Sequence, residues 1–163
     1  MDMAWTGTEA LSGPRDSHTA TLLNDGRVLI AGGRDENGLL HGCELYDAAF
    51  HEWGSTDSLA LARSGHSATL LLDGRVLVAG GDGETGELRD CELFDPTAGL
   101  SGKFGPTGSL RDARSAHTAT LLSSGTVLVC GGENSEGGGG RRIELPLQNY
   151  SIRPRENGHR PAT

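Results

Sequence analysis

RSGHSATLLLDGRVLVAGG, residues 63–81, decides how the rest of this chain is read. The same frame occurs earlier as RDSHTATLLNDGRVLIAGG (15–33) and later as RSAHTATLLSSGTVLVCGG (114–132), with no gap in any copy. In each, a histidine stands three residues after the arginine and fourteen before the first glycine of a pair. A frame repeated without slippage is a structural unit, and it bounds what any of its residues can be assigned to do.

Working outward, the unit is longer than that frame. Trp5, Trp53 and Phe104 each precede the histidine of their copy (His18, His66, His117) by thirteen residues, with a Thr-x-x-Leu between. Downstream come Glu44-Leu45, Glu92-Leu93 and Glu144-Leu145, the first two within CELYD and CELFD. The histidines are 48 and then 51 residues apart, the extra three lying in TAGLSGK ahead of Phe104. A period near fifty points to a propeller or a solenoid. Each unit resolves into four short strands. The first is HTATLL or HSATLL, the second the β-branched run ending in Gly-Gly, the third CELYD-like, and the fourth carries Trp or Phe. Asp25-Gly26 and Asp73-Gly74 join the first two strands as a hairpin signal, and Ser124-Gly125 serves the third copy. Short runs ended by glycines exclude a helix. Apolar residues on both sides of the second strand require a sheet buried on both faces, as when sheets stack around an axis.

The order Arg-x-x-His, apolar strand, Asp-Gly, apolar strand with Gly-Gly, acidic-Leu-Tyr-Asp, then Trp resembles the kelch repeat. HTATLLNDGRVLIAGG is similar to bacterial kelch-type propellers related to the galactose oxidase propeller. The expected fold is therefore all-β, a partial β-propeller of about three four-stranded antiparallel blades. It occupies 1–150, with a fourth-type strand at 5–11 and repeats at about 12–59, 60–110 and 111–150. Residues 151–163 read as a disordered basic tail, which could also bind a partner.

Composition narrows the function classes. The chain has 163 residues, net charge −8, 26 glycines and only 4% aromatics. From Arg141 onward five Arg face two Glu, a balance of +3, so the preceding part carries −11. That part lacks the clustered cations that nucleic-acid binding needs. No apolar run is long enough to span a bilayer, and no secretory signal is visible. Compartment stays undetermined, cytoplasmic by default. Cys43 and Cys91 are equivalent positions 48 residues apart. Stacked sheets lie about 10 Å apart, beyond disulfide reach. Cys130 replaces Ala31 and Ala79, so all three are expected as free thiols.

Gly32-Gly33, Gly80-Gly81 and Gly131-Gly132 read as strand exits where a Cβ would not fit, not as a phosphate cradle, which needs a following helix. His18, His66 and His117 lie too far apart on neighbouring sheets for one metal. A repeated structural hydrogen bond into the adjacent loop is expected of them, and neither metal nor cofactor is assigned. In kelch-type adaptors an arginine in the loop before the first strand grips acidic ligand groups, and the resemblance implies this role for Arg15, Arg63 and Arg114. The bland reading is that each pairs with a neighbouring carboxylate. Loop residues after the glycines, among them Arg34, Glu36, Asp82, Glu84 and Glu133, are candidate contacts on the same face.

Trp5 matches a fourth strand before any first strand has appeared, and the third repeat is degraded: Pro146 and Leu147 replace the aromatic and the Asp, and a fourth strand around Tyr150 is doubtful. Three blades are fewer than the usual four to eight. The chain is then either a piece of a larger ring or half of a six-bladed ring made by two chains. Functionally, the resemblance implies a non-catalytic module binding a protein, peptide or glycan. Its alternatives are a subunit of a sugar mutarotase or epimerase and, less well supported, a copper-radical oxidase. The latter needs tyrosine ligands, and the chain has only Tyr46 and Tyr150.

Overall fold

The computed structural model describes residues 7–135 and the strands Ile143–Glu144 and Gln148–Tyr150. Trp5 and the tail at 151–163 lie outside the described residues. The fold is all-β, built from small antiparallel sheets, with no helix among the described residues.

The first sheet contains β1 (Thr19–Leu22), β2 (Val28–Ala31), β5 (Cys43–Asp47) and β6 (Glu52–Ser55), in the order β1-β2-β5-β6. Between β2 and β5 the chain makes a two-residue hairpin from β3 (Arg34–Asp35) and β4 (Gly38–Leu39). The second sheet repeats this with β7 (Ser67–Leu70), β8 (Val76–Ala79), β11 (Cys91–Asp95) and β12 (Lys103–Pro106). Its hairpin is β9 (Asp82–Gly83) with β10 (Gly86–Glu87). The third has β13 (Thr118–Leu121), β14 (Val127–Cys130) and β17 (Gln148–Tyr150), with a hairpin of β15 (Glu133–Asn134) and β16 (Ile143–Glu144).

The four strands expected per repeat are thus present in the first two sheets, with registers that match. Ile30 stands opposite Glu44 and Val78 opposite Glu92. Two expectations need correction. The segments after Gly-Gly are hairpins, because Leu40 N and Leu88 N bond back to Gly33 O and Gly81 O. In the third sheet Gln148, not Glu144, faces Val129, and Glu144 pairs in the small hairpin instead. The strand at Tyr150 is therefore the sheet's third, not a fourth.

The Asp-Gly signal works through a three-residue connection. Leu23 N bonds Arg27 O and Gly26 N bonds Leu23 O, with Gly26 at φ 89°, and the second and third copies repeat it. Arg27 and Arg75 brace these turns by pairing with Asp25 and Asp73 at 2.7 and 2.6 Å.

The core lies between sheets. Leu29, Ala31, Cys43 and Leu45 of the first meet Val76, Val78 and Phe94 of the second. The second sheet's other side, with Leu77, Ala79 and Cys91, meets Val127 and Val129 of the third. A sheet covered on both faces explains the continuous apolar run VLVA of β8, all four residues buried. Val76, Leu77 and Val78 each contribute about 1.5–3 kcal/mol on burial. Cys43, Cys91 and Cys130 are all unpaired. Burial raises the Cys43 thiol to a pKa of about 11, so it behaves as a small apolar residue.

Candidate functional site

β1, β7 and β13 neighbour one another in sequence across the three sheets, so equivalent loops collect at one end. That end holds the three hairpins and the loops that precede the first strands. It was the face on which ligand contacts were expected.

The arginines stand in those loops with their guanidinium groups buried. Arg63 is fully buried, its Nη2 2.7 Å from Glu92 Oε1, while Nη1 donates to Gly80 O at 2.9 Å and Asp90 O at 2.8 Å. Its Nε donates to Leu61 O at 3.3 Å. Arg15 repeats the pattern with Glu44 Oε1 at 2.7 Å and the carbonyls of Gly32 and Gly42. Arg114 is also fully buried and donates to Gly131 O at 2.7 Å. Arg15 and Arg63 thus take the carboxylate partner that was the other reading of these arginines, and Arg114 lies inside its sheet. The forks of Arg15 and Arg63 tie the Gly-Gly exit to the next strand, adding charge-assisted donors to the carbonyls of Gly42 and Asp90, which Gly32 N and Gly80 N bond only at 3.3 and 3.2 Å. The carboxylates are held from the other side too: Ala60 N lies 2.8 Å from Glu92 Oε2, and Ser12 N 3.0 Å from Glu44 Oε2. Sequence reasoning named the carboxylate partner only generically. The signal was a glutamate between two apolar residues, Cys-Glu-Leu, 29 residues after each of the first two arginines.

The histidines bridge sheets. His66 Nε2 lies 2.9 Å from Thr19 Oγ1 and His117 Nε2 lies 2.8 Å from Ser67 Oγ. The partner is a hydroxyl on the first strand of the preceding sheet, not the adjacent loop. Burial first, and the Arg63 charge second, lowers the His66 pKa to about 3; burial and Arg114 lower that of His117 to about 4. Among the described residues no His, Cys, Asp or Glu side chains gather in threes as metal ligands would.

The glycines seat these joints. A Cβ on Gly32 or Gly80 would fall 2.6 Å from the carbonyl oxygen of Arg63 or Arg114 in the next sheet. Gly33 N and Gly81 N donate to those same oxygens at 2.9 and 2.8 Å. A backbone thread also crosses the sheets: Gly65 N donates to Ser17 O at 3.0 Å and Ala116 N to Gly65 O at 2.9 Å, with all three residues at φ between 52° and 60°. Nothing in the sequence pattern revealed this thread, since only one of its residues is glycine. Trp53 packs on Tyr46 and Phe104 on Phe94, both pairs with ring centroids 4.9 Å apart.

The remaining candidates are the hairpin residues. Arg34 is exposed and pairs with Asp16 at 3.0 Å. Glu36 and Glu84 are exposed at the hairpin tips, while Asp82 and Glu133 are half-buried and bridge to Ser64 and Ser115. The structure brings these to one end of the molecule. A cleft of about 280 Å³ lies against the outer strand of the second sheet, lined by Leu61, Glu92, Phe104 and Thr107. Another of about 360 Å³ lies at the Asp-Gly turn end, between Asp25, Asp73 and Asp95. Arg27, Arg75 and Thr97 hydrogen bonds respectively hold those three carboxyls below the usual range.

No family model matches the chain, and no curated protein matches it. Among solved structures, the chain is similar to that described as "Structure of YjhT", with a TM-score of 0.68 at 15% identity. The match covers 96% of this chain and 57% of that one, so the chain spans little more than half the length of its structural relative. At that identity the likeness is one of fold.

Proposed function

We propose that the three sheets are kelch-type blades of a β-propeller and that the chain is a non-catalytic interaction module. Its hairpin end would bind a protein, peptide or glycan. One contrast carries the reading. The repeated arginines, histidines and glycines are spent on the frame, whereas the hairpin tips DENG (35–38) and GETG (83–86) keep an exposed glutamate at the same position, Glu36 and Glu84, and vary around it, Asp35 and Asn37 standing where the second copy has Gly83 and Thr85. Exposed polar tips with varied neighbours on a rigid, hydrogen-bonded frame are the arrangement that recognition loops use. Glu36 and Glu84 offer acceptors without a competing arginine at their own positions, suited to a basic peptide or a hydroxyl-rich glycan. The sugar-isomerase alternative required an arginine facing the ligand, and Arg15, Arg63 and Arg114 are committed inside the sheets. The oxidase alternative draws no support from Tyr46, which stacks on Trp53.

The test is a glycan and basic-peptide array probed with the wild-type chain and with a Glu36→Gln, Glu84→Gln double variant. Binding that falls at least tenfold in the variant, with an unchanged unfolding midpoint, is the expected result. Binding that survives this change would place recognition elsewhere.

A further inference from the structure

The joints between sheets come in a fixed set, seen twice. Across each, a glycine N of the earlier sheet donates to an arginine O of the later one (Gly33 to Arg63, Gly81 to Arg114). A residue on the later sheet donates its N to the thread (Gly65 to Ser17, Ala116 to Gly65). A histidine of the later sheet meets a hydroxyl of the earlier (His66 with Thr19, His117 with Ser67). The same three halves recur on the outer sides. Arg15 O, Ser17 N and His18 Nε2 of the first sheet are the later-sheet halves, and have no such partners among the described residues. Gly132 N, Ala116 O and Thr118 Oγ1 of the third sheet are the earlier-sheet halves, likewise without partners among the described residues.

Packing says the same. Gly32 and Gly80 face an arginine carbonyl, a histidine ring and a leucine of the next sheet, whereas Gly131, at φ 66°, has nothing within 4 Å of its Cβ position. The leucines concerned, Leu59 and Leu110, are 3% and 2% exposed. Their counterpart Leu11 is only half-buried. Leu29 is buried against the second sheet, but its counterpart Leu128 is half-buried on the third. On the first sheet Leu22 is 63% exposed, where its counterpart Leu70 packs into the core, although Ile30 nearer the sheet's centre is 5% exposed.

We infer that the outer face of the third sheet docks on the outer face of the first sheet of a second copy, continuing the joint already made twice within the chain. His18 then meets Thr118 of the other copy, and Gly131 receives Leu11 and the Arg15 carbonyl. The contact is head-to-tail, and two copies joined at both faces give six sheets, within the range that closes a propeller. This is independent of what the hairpins bind.

Sedimentation velocity of the 163-residue chain tests it, using wild type, Leu22→Asp and Leu128→Asp. Wild type is expected at twice the chain mass of 17.0 kDa. Each variant, retaining its strand circular-dichroism spectrum, is expected to dissociate. Mixing the two variants is expected to restore the two-chain species, since one joint in the mixed pair is then unaltered. Thr118→Val, which removes one exposed hydroxyl and leaves the core untouched, is expected to weaken association about tenfold, and serves if an Asp variant fails to fold. A wild-type mass of 17.0 kDa at every concentration would overturn the inference. So would a dimer lost in Leu22→Asp but kept in Leu128→Asp, which would mean pairing of two first sheets.

Discussion

His66 and His117 show how a single side chain couples two sheets. Each is buried and neutral, bonded to a hydroxyl of the preceding sheet. Their pKa values of about 3 and 4 lie below the unfolded value of 6.5. The unfolded chain therefore binds more protons between these limits, so stability rises with pH there. Their contribution is fully present above pH 6.5 and is lost as pH falls toward 4 and then 3. Urea unfolding at pH 7.5 and pH 4.5 should show a marked loss of midpoint at the lower pH. His66→Gln should flatten that loss, and an equally steep profile in the variant would contradict the assignment. The repeat made the histidines visible in the sequence, and the wide spacing expected between stacked sheets argued against a shared metal. Their partners were not visible, because Thr19 and Ser67 differ in kind and share only a hydroxyl.

At the scale of strands and turns, glycine separates two demands. Gly80 combines φ 61° with a neighbouring carbonyl that leaves no space for a Cβ, whereas Gly26 needs only its φ of 89° and has nothing within 4 Å. Gly26→Ala should cost about 1 kcal/mol through backbone conformation. Gly80→Ala adds overpacking between sheets and should cost about 3 kcal/mol in all. Equal midpoints in denaturant for the two variants would contradict the joint described at Gly80. Strand boundaries and the Asp-Gly turns were legible because alternating and β-branched runs have few alternatives. The third strand of the third sheet was misplaced because an acidic-leucine pair at Glu144 imitated the motif, while backbone pairing selected Gln148. The small hairpins were hidden by their length, since two-residue strands leave no periodicity.

For the molecule as a whole, the first strands of neighbouring sheets pack side by side, β1 on β7 and β7 on β13, so much of the stability is carried by the joints between sheets. The repeated frame that dominates the sequence supplies these joints through its glycines, histidine and the carbonyl of its arginine, while the guanidinium, fully buried in the second and third copies, braces its own repeat. The resemblance suggested a ligand contact for that arginine. The alternative of a carboxylate partner describes what Arg15 and Arg63 do, although the loop sequence alone gave no means of deciding which way the fork points. The most direct measurement is equilibrium denaturation of Arg63→Gln beside Glu84→Gln. Removing the guanidinium strands Glu92 and two strand carbonyls inside the protein, so Arg63→Gln should lose about 3–5 kcal/mol. Glu84→Gln, at an exposed tip, should stay within about 0.5 kcal/mol of wild type. An Arg63→Gln variant as stable as wild type would contradict the account that this buried fork ties the Gly-Gly exit of the second sheet to its next strand.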